Sequence, residues 1–285
     1  MFPIAQVLWH EATTFTRPSR KTEPHEIMDN LAQVKSYVQA YAWGGAMSVV
    51  QLHHISELSL MIRPGDTILD LACGPGPLLL ELAAIYPECK FIGADLSPLM
   101  LQHLEQETRI RELKNVSVLR DDIRTLLSLQ DRTVDLVITT IALHHMPDEV
   151  SLRTVFQRVR SLLKPGGGFY IFDFALLKSP KTRRIIVEEA RKVAPPITTE
   201  DYDMSLQAAF PLDVACRLAI EELPRPFLTS SSAFVDFFVS FKTQSSTQRS
   251  NQAQKAIDQI WRKLPLSLKF EYLMLRGLRK HTNIA

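Results

Sequence analysis

Apolar residues along this chain follow two periods. Ile27, Leu31, Val34, Val38 and Tyr41 recur at three- and four-residue steps, the spacing of one face of a helix. The break Ala42-Trp43-Gly44-Gly45 separates them from a second helical stretch over 47–61. After the turn Arg63-Pro64-Gly65-Asp66 the pattern changes. Short apolar runs at 67–69, 90–95, 116–119, 134–139 and 169–174 are divided by helix-compatible stretches, among them 78–84, 98–112 and 149–163. Short uninterrupted runs predict strands buried on both faces. Their alternation with helices predicts a parallel sheet with right-handed crossovers. A further run at 234–241 predicts a late strand. Before it, 175–223 is longer than a connection requires; it reads as helical around 181–192, breaks at Pro195-Pro196 and resumes at Asp201-Tyr202-Asp203-Met204. Residues 1–25 are mixed, with Arg17-Pro18-Ser19-Arg20-Lys21 interrupting any period, and are expected to be loose.

The first strand ends in an acid and a glycine turn, Asp70-Leu71-Ala72-Cys73-Gly74-Pro75-Gly76, and then runs into a helix. A strand, a tight turn and a helix start let backbone approach a nucleoside closely. The dinucleotide fingerprint requires a third glycine three residues on, and here Leu79 stands in its place. That disfavours a diphosphate-linked dinucleotide. There is also no phosphate loop of the G-x-x-x-x-G-K-[ST] form.

The second strand ends at Asp95, 19 residues after Gly76. An acid near this offset, about 20 residues, bonds ribose hydroxyls in nucleotide-binding sheets, because a carboxylate accepts from two vicinal hydroxyls at once. Asp95 as a plain helix cap is the competing reading, but Ser97 before Pro98 fills that role unaided.

Taken together, Asp70-x-Ala72-Cys73-Gly74-x-Gly76, Asp95-Leu96-Ser97-x-x-Met100, Asp121-Asp122-Ile123, Leu143-His144-His145-x-x-Asp148 and Leu163-Lys164-Pro165-Gly166-Gly167 resemble class I S-adenosylmethionine-dependent methyltransferases. The likeness is nearest to the branch of ubiquinone/menaquinone-biosynthesis and small-molecule enzymes, and covers roughly the middle half of the chain. It implies S-adenosyl-L-methionine as cofactor. Asp70, Ala72, Gly74 and Gly76 would lie along its methionine part, Asp95 and Leu96 at the ribose, and Asp122 and Ile123 at the adenine, with Thr140 also on the cofactor side. The usual Leu-Pro-Phe after the adenine acid is replaced by Arg124-Thr125-Leu126-Leu127. The resemblance also implies a Rossmann-like, doubly wound α/β fold with a mostly parallel seven-stranded sheet, whose antiparallel member is the run at 234–241. The insert at 175–223 is a candidate lid or a packing decoration.

Composition fits a globular enzyme: 285 residues, 46% hydrophobic, 22% charged and a net charge of +2, a balance that does not call for nucleic acid. Cys73, Cys89 and Cys216 form no CxxC pair and no even set, which points to free thiols in a reducing compartment and to no metal site. Cys73 reads as a small turn residue. No apolar run reaches transmembrane length, and the start lacks a signal-peptide pattern, so a cytoplasmic location is expected.

The stretch from residue 243 differs from the rest. Eight basic side chains (Arg249, Lys255, Arg262, Lys263, Lys269, Arg276, Arg279, Lys280) face two acids, Asp258 and Glu271, a local charge of +6. Ala253, Ile257, Ile260, Trp261 and Leu264 form one apolar stripe; Phe270, Leu273, Met274 and Leu278 form another beyond Pro265. A basic helical pair packed on the core is the first reading. A homodimer arm and contact with an anionic membrane are sharper ones, the membrane not favoured.

The sulfonium methyl is already activated, so the protein must mainly position the acceptor and exclude water. A base is required only where the acceptor must lose a proton, and His144 and His145 are the candidates; the same histidines serve equally as a loop-shaping element. His53-His54 reads as packing or surface. Tyr37, Tyr41 and Trp43 are candidate substrate walls, or core. The expected organisation is an N-terminal helical cap (1–62), a methyltransferase domain (63–242) and a basic helical tail (243–285). The expected function is methyl transfer to a small molecule at N, O or C. A non-catalytic methyltransferase-like subunit with a protein partner, or a peptide methyltransferase, is the alternative.

Overall fold

The computed structural model describes residues 3–24, 27, 30–277 and 279–284; Leu278, placed above in an apolar stripe, lies outside them. The chain opens with α1 (Ile4–Thr13), α2 (Leu31–Tyr41) and α3 (Ser48–Leu58). It continues through β1 (Thr67–Leu71), α4 (Pro77–Ile85), β2 (Lys90–Asp95), α5 (Pro98–Ile110), β3 (Val116–Arg120) and β4 (Val134–Thr140). A single 3-10 turn, Leu143–His145, leads to α6 (Glu149–Leu162) and β5 (Leu163–Phe174). The insert holds three helices, α7 (Pro180–Arg191), α8 (Pro196–Ala208) and α9 (Leu212–Glu222). The chain then forms β6 (Phe227–Ser232), β7 (Phe238–Thr243), α10 (Asn251–Lys263), α11 (Leu266–Gly277) and β8 (Arg279–Ile284).

The strands form one sheet in the order β3-β2-β1-β4-β5-β7-β6-β8. Pairing is parallel from β3 to β5 and antiparallel from β5 through β7 and β6 to β8. The parallel half explains the continuous apolar runs. Phe169 and Ile171 enter the core beneath α6 and α9, whereas Tyr170 and Phe172 enter the core beneath α3 and α4. With both faces covered, polar positions would have nowhere to point.

Helix starts follow local chemistry. Ser97, Asp148, Ser179 and Ser250 accept from backbone N–H groups in the first turns of α5, α6, α7 and α10, at 2.7–3.2 Å. Pro98 and Pro180 occupy first-turn positions where the missing N–H costs nothing.

Three expectations need correction. The sheet has eight strands rather than seven. The late strand begins at Phe238 rather than 234, and it pairs with β6, which the pattern did not reveal. The tail is not wholly helical: 279–284 returns as β8 and pairs with β6. The first 25 residues are also not loose where described. The Glu11 carboxylate accepts from the N–H groups of Lys178 and Ser179 at 3.1 and 2.9 Å, and α1 packs on α7. Residues 14–24 then cross the sheet's C-terminal edge as a strap. Arg17 pairs with Asp213 and Asp236, and Arg20 donates to the carbonyls of Ala208, Pro147, His144 and Met146.

His53 and His54 are core, not surface. Both are fully buried in α3, and His54 Nδ1 lies 2.9 Å from the Tyr170 hydroxyl. Burial drives both imidazoles well below the usual pKa, so they stay neutral.

Candidate functional site

The site is built on the turn after β1. Ala72, Gly74 and Gly76 all take positive φ, at 50°, 57° and 72°. This run turns the chain sharply from β1 into α4. At Gly76 any side chain would also meet the side chain of Leu104, which is completely buried and would have to shift within the core. Gly76→Ala is therefore expected to destabilise the fold by about 2–3 kcal/mol, from left-handed backbone plus overpacking. A urea-unfolding midpoint equal to that of the unaltered chain would contradict this.

Asp95 closes the turn. One of its carboxylate oxygens accepts from the Gly74 N–H and the other from the Ser97 N–H, both at 2.8 Å. Ser97 separately caps α5, so Asp95 is not needed for that role. The Leu96 N–H also acts on this carboxylate. Asp95 lines a cavity of ≈ 90 Å³ together with Ala72, Gly74, Leu96, Asp122 and Ile123. Asp70 lies deeper, fully buried. Burial, and then the charge of Asp95, push its carboxyl well above the ordinary range. Burial likewise raises Asp95. A buried acid whose ionisation is opposed by burial and by a neighbouring carboxylate suits a cationic guest.

The third loop supplies Asp122 and Ile123. Burial works to raise the Asp122 carboxyl, but the forked contact from Arg124, at 2.7–3.0 Å, holds it below its usual value. Arg124 occupies the stretch where the family pattern has Leu-Pro-Phe, and it lines the cavity.

On the opposite wall stand Ile141, Ala142, His145 and Met146. His144 and His145 separate in role. His144 is buried and clamped to β5: its ring Nδ1 and its backbone N–H both reach the Asp173 carboxylate, at 2.8 and 2.9 Å. His145 faces the cavity. Its Nδ1 makes an ion-pair contact of 3.1 Å with Glu23 on the strap. The other Glu23 oxygen lies 3.7 Å from His144 Nε2, and the Ser205 hydroxyl donates to it at 2.8 Å. The ligand-type atoms of Glu23, His144 and His145 lie within 4.8 Å of one another. Burial opposes protonation of His145, but the Glu23 carboxylate outweighs it and holds the imidazole pKa above normal.

The remaining predicted residues divide. Tyr37 lines the same cavity as Asp95 and stacks on Tyr41 at 4.6 Å. Tyr41 and Trp43 instead face a separate cavity of ≈ 290 Å³ beside α4. Thr140, at the end of β4, is half-buried, and the cavity wall is taken by Ile141 and Ala142 after it. Cys73 is buried and its thiol pushed well up, so it is no nucleophile. Sequence reasoning missed Glu23, Arg124 and Met100. Only Met100 carried a signal, at three residues past Ser97 in the resembling motif.

Residues 68–167 match a family described as methyltransferase domains. They begin in β1 and end within β5, so the match spans the glycine turn, Asp95, Asp122 and the histidine loop. Over these residues the chain carries a methyltransferase domain. This methyltransferase domain is similar to demethylmenaquinone methyltransferase of Symbiobacterium thermophilum, 33% identical over 149 residues, covering 52% of this chain and 55% of that one. It is similar to an uncharacterised 37.1 kDa protein in a Streptomyces fradiae transposon, 37% identical over 110 residues, covering 38% and 30%. The chain thus spans about half the length, or less, of these relatives. The CurJ carbon methyltransferase structure shares the fold at 14% identity and a TM-score of 0.52, covering 76% of this chain and 60% of that one.

Proposed function

We propose that this chain transfers the methyl group of S-adenosylmethionine to a small-molecule acceptor with a nitrogen, oxygen or carbon nucleophile. The carrying observation is the glycine-built cavity with Asp95 in its wall and a buried carboxyl, Asp70, close enough behind it to feel the charge of Asp95. A nucleoside whose far end is a cationic amino acid suits both: its hydroxyls would donate to the Asp95 carboxylate, and its positive charge would offset the charge of the two acids. Leu79 in place of a third glycine argues against a dinucleotide. The cavity, ≈ 90 Å³, is smaller than the roughly 300 Å³ at the low end of ligand sites. The cavity would therefore have to widen to admit the cofactor.

The bound cofactor would supply an activated methyl group displaced in line. The protein's own contribution is orientation and dryness. His145 holds its imidazole at the cavity wall, where it takes the acceptor's proton as the nucleophile attacks. Relatives are named for demethylmenaquinone and for 27-O-demethylrifamycin SV; this supports a small-molecule acceptor.

The test is calorimetric titration of the purified chain with S-adenosylhomocysteine and, separately, NADH. Binding of the first alone is expected. Binding of NADH alone, or of neither, would overturn the reading.

A further inference from the structure

We infer that α11 is a docking surface for an anionic lipid bilayer. This helix is apolar on two opposite sides. Tyr272 is buried, and Leu268 and Leu275 pack beside it against Val49 and Leu52 of α3. Leu266, Phe270 and Leu273 point the other way and are 84%, 65% and 59% exposed. Spaced at four and three residues, they form one ridge along the helix. Lys269 and Arg276, seven residues apart, share the stripe beside that ridge, while Glu271 falls on its other side. Arg262 and Lys263, both exposed, end the preceding helix.

An apolar ridge with cations alongside it matches a helix that lies in the plane of a membrane interface, its hydrophobic side chains among the acyl chains and its cations at the headgroups. The charge pattern selects this occupant over two others. A second copy of the chain would bring the same cations face to face across a two-fold axis. A nucleic acid would set phosphates against Leu266, Phe270 and Leu273. No described helix is long and apolar enough to cross a membrane, so the contact is peripheral. The inference stands apart from the methyl-transfer reading, since none of these residues touches the cofactor-side cavity.

The experiment is co-sedimentation of the full chain with phosphatidylcholine vesicles, with and without phosphatidylglycerol. Binding is expected only with the anionic lipid and should weaken as salt is raised. Phe270→Ser combined with Leu273→Ser removes exposed side chains without opening the core, and is expected to weaken partitioning at least about tenfold. Lys269→Glu with Arg276→Glu should do the same. Trp9→Ser, on the exposed apolar face of α1, should change nothing. Failure to bind anionic vesicles overturns the assignment. So does binding that survives the Phe270/Leu273 change or is lost with Trp9. A dimer abolished by the Phe270/Leu273 change would make the face a self-association surface instead.

Discussion

Asp95→Ala is expected to weaken S-adenosylhomocysteine binding by about a hundredfold or more. Two losses add. The ribose hydroxyls lose a charged acceptor, and hydrogen bonds to a charged group contribute about 1.5–3 kcal/mol. The turn also loses its clasp, because Asp95 holds the N–H of Gly74 on one side and that of Ser97 on the other. Asp95→Asn separates the two. An amide has one oxygen, so one of those two N–H groups would face an NH2 group rather than an acceptor. Asparagine should therefore recover little of the affinity, even though it keeps the shape. Calorimetry on the three proteins, with circular dichroism to confirm folding, reads this directly. An alanine variant that binds within a few-fold of the parent would remove Asp95 from the site.

Why Asp95 was legible in the chain, and Glu23 was not, comes down to distance along it. The glycine turn, Asp95, Ser97 and Pro98 belong to one strand–helix–strand unit, and each is required by backbone geometry within a few residues of itself. Spacing alone locates them. Glu23 reaches His145 only because the strap is pinned from afar, by Arg20 on four loop carbonyls and by Arg17 on Asp213 and Asp236. No local period marks such a segment. The two strands that went unseen fail for a related reason. β6, Phe-Leu-Thr-Ser-Ser-Ser, and β8, Arg-Lys-His-Thr-Asn-Ile, are mostly polar, so no apolar run marks them, and antiparallel pairing to a neighbour sets them as strands. His53 and His54 show the limit from the other side. Two polar residues in a helix admit a surface position, and only the fold shows both rings beneath β5.

His145 and Glu23 carry the last expectation. A base must be neutral to accept a proton, and Glu23 holds the His145 imidazole above its ordinary value. The rate kcat/KM should accordingly rise with pH through a transition displaced above the normal imidazole value of about 6.5. Glu23→Gln removes the anion that causes the displacement, so the transition should move to lower pH. His145→Ala should lower kcat by about 10²–10⁴-fold, the usual contribution of a positioned base, and abolish the transition. His144→Ala is a different perturbation, because it empties a buried clamp on Asp173 and should cost stability as well. The same pair has a stability signature. The raised pKa of His145 stabilises the fold at pH values below its unfolded value and is lost as pH rises through the folded one. The carboxyl of Glu23, which burial raises but His145 more than restores to below its usual value, stabilises above its unfolded value and is lost on acidification. Both contributions are complete only between the two unfolded values, roughly pH 4.5 to 6.5. The parent's advantage over Glu23→Gln in thermal midpoint should therefore peak inside that window and shrink on either side. If the pH–rate transition stays in place when Glu23 becomes Gln, the strap carboxylate does not tune His145, and a base would have to be sought elsewhere on the cavity wall.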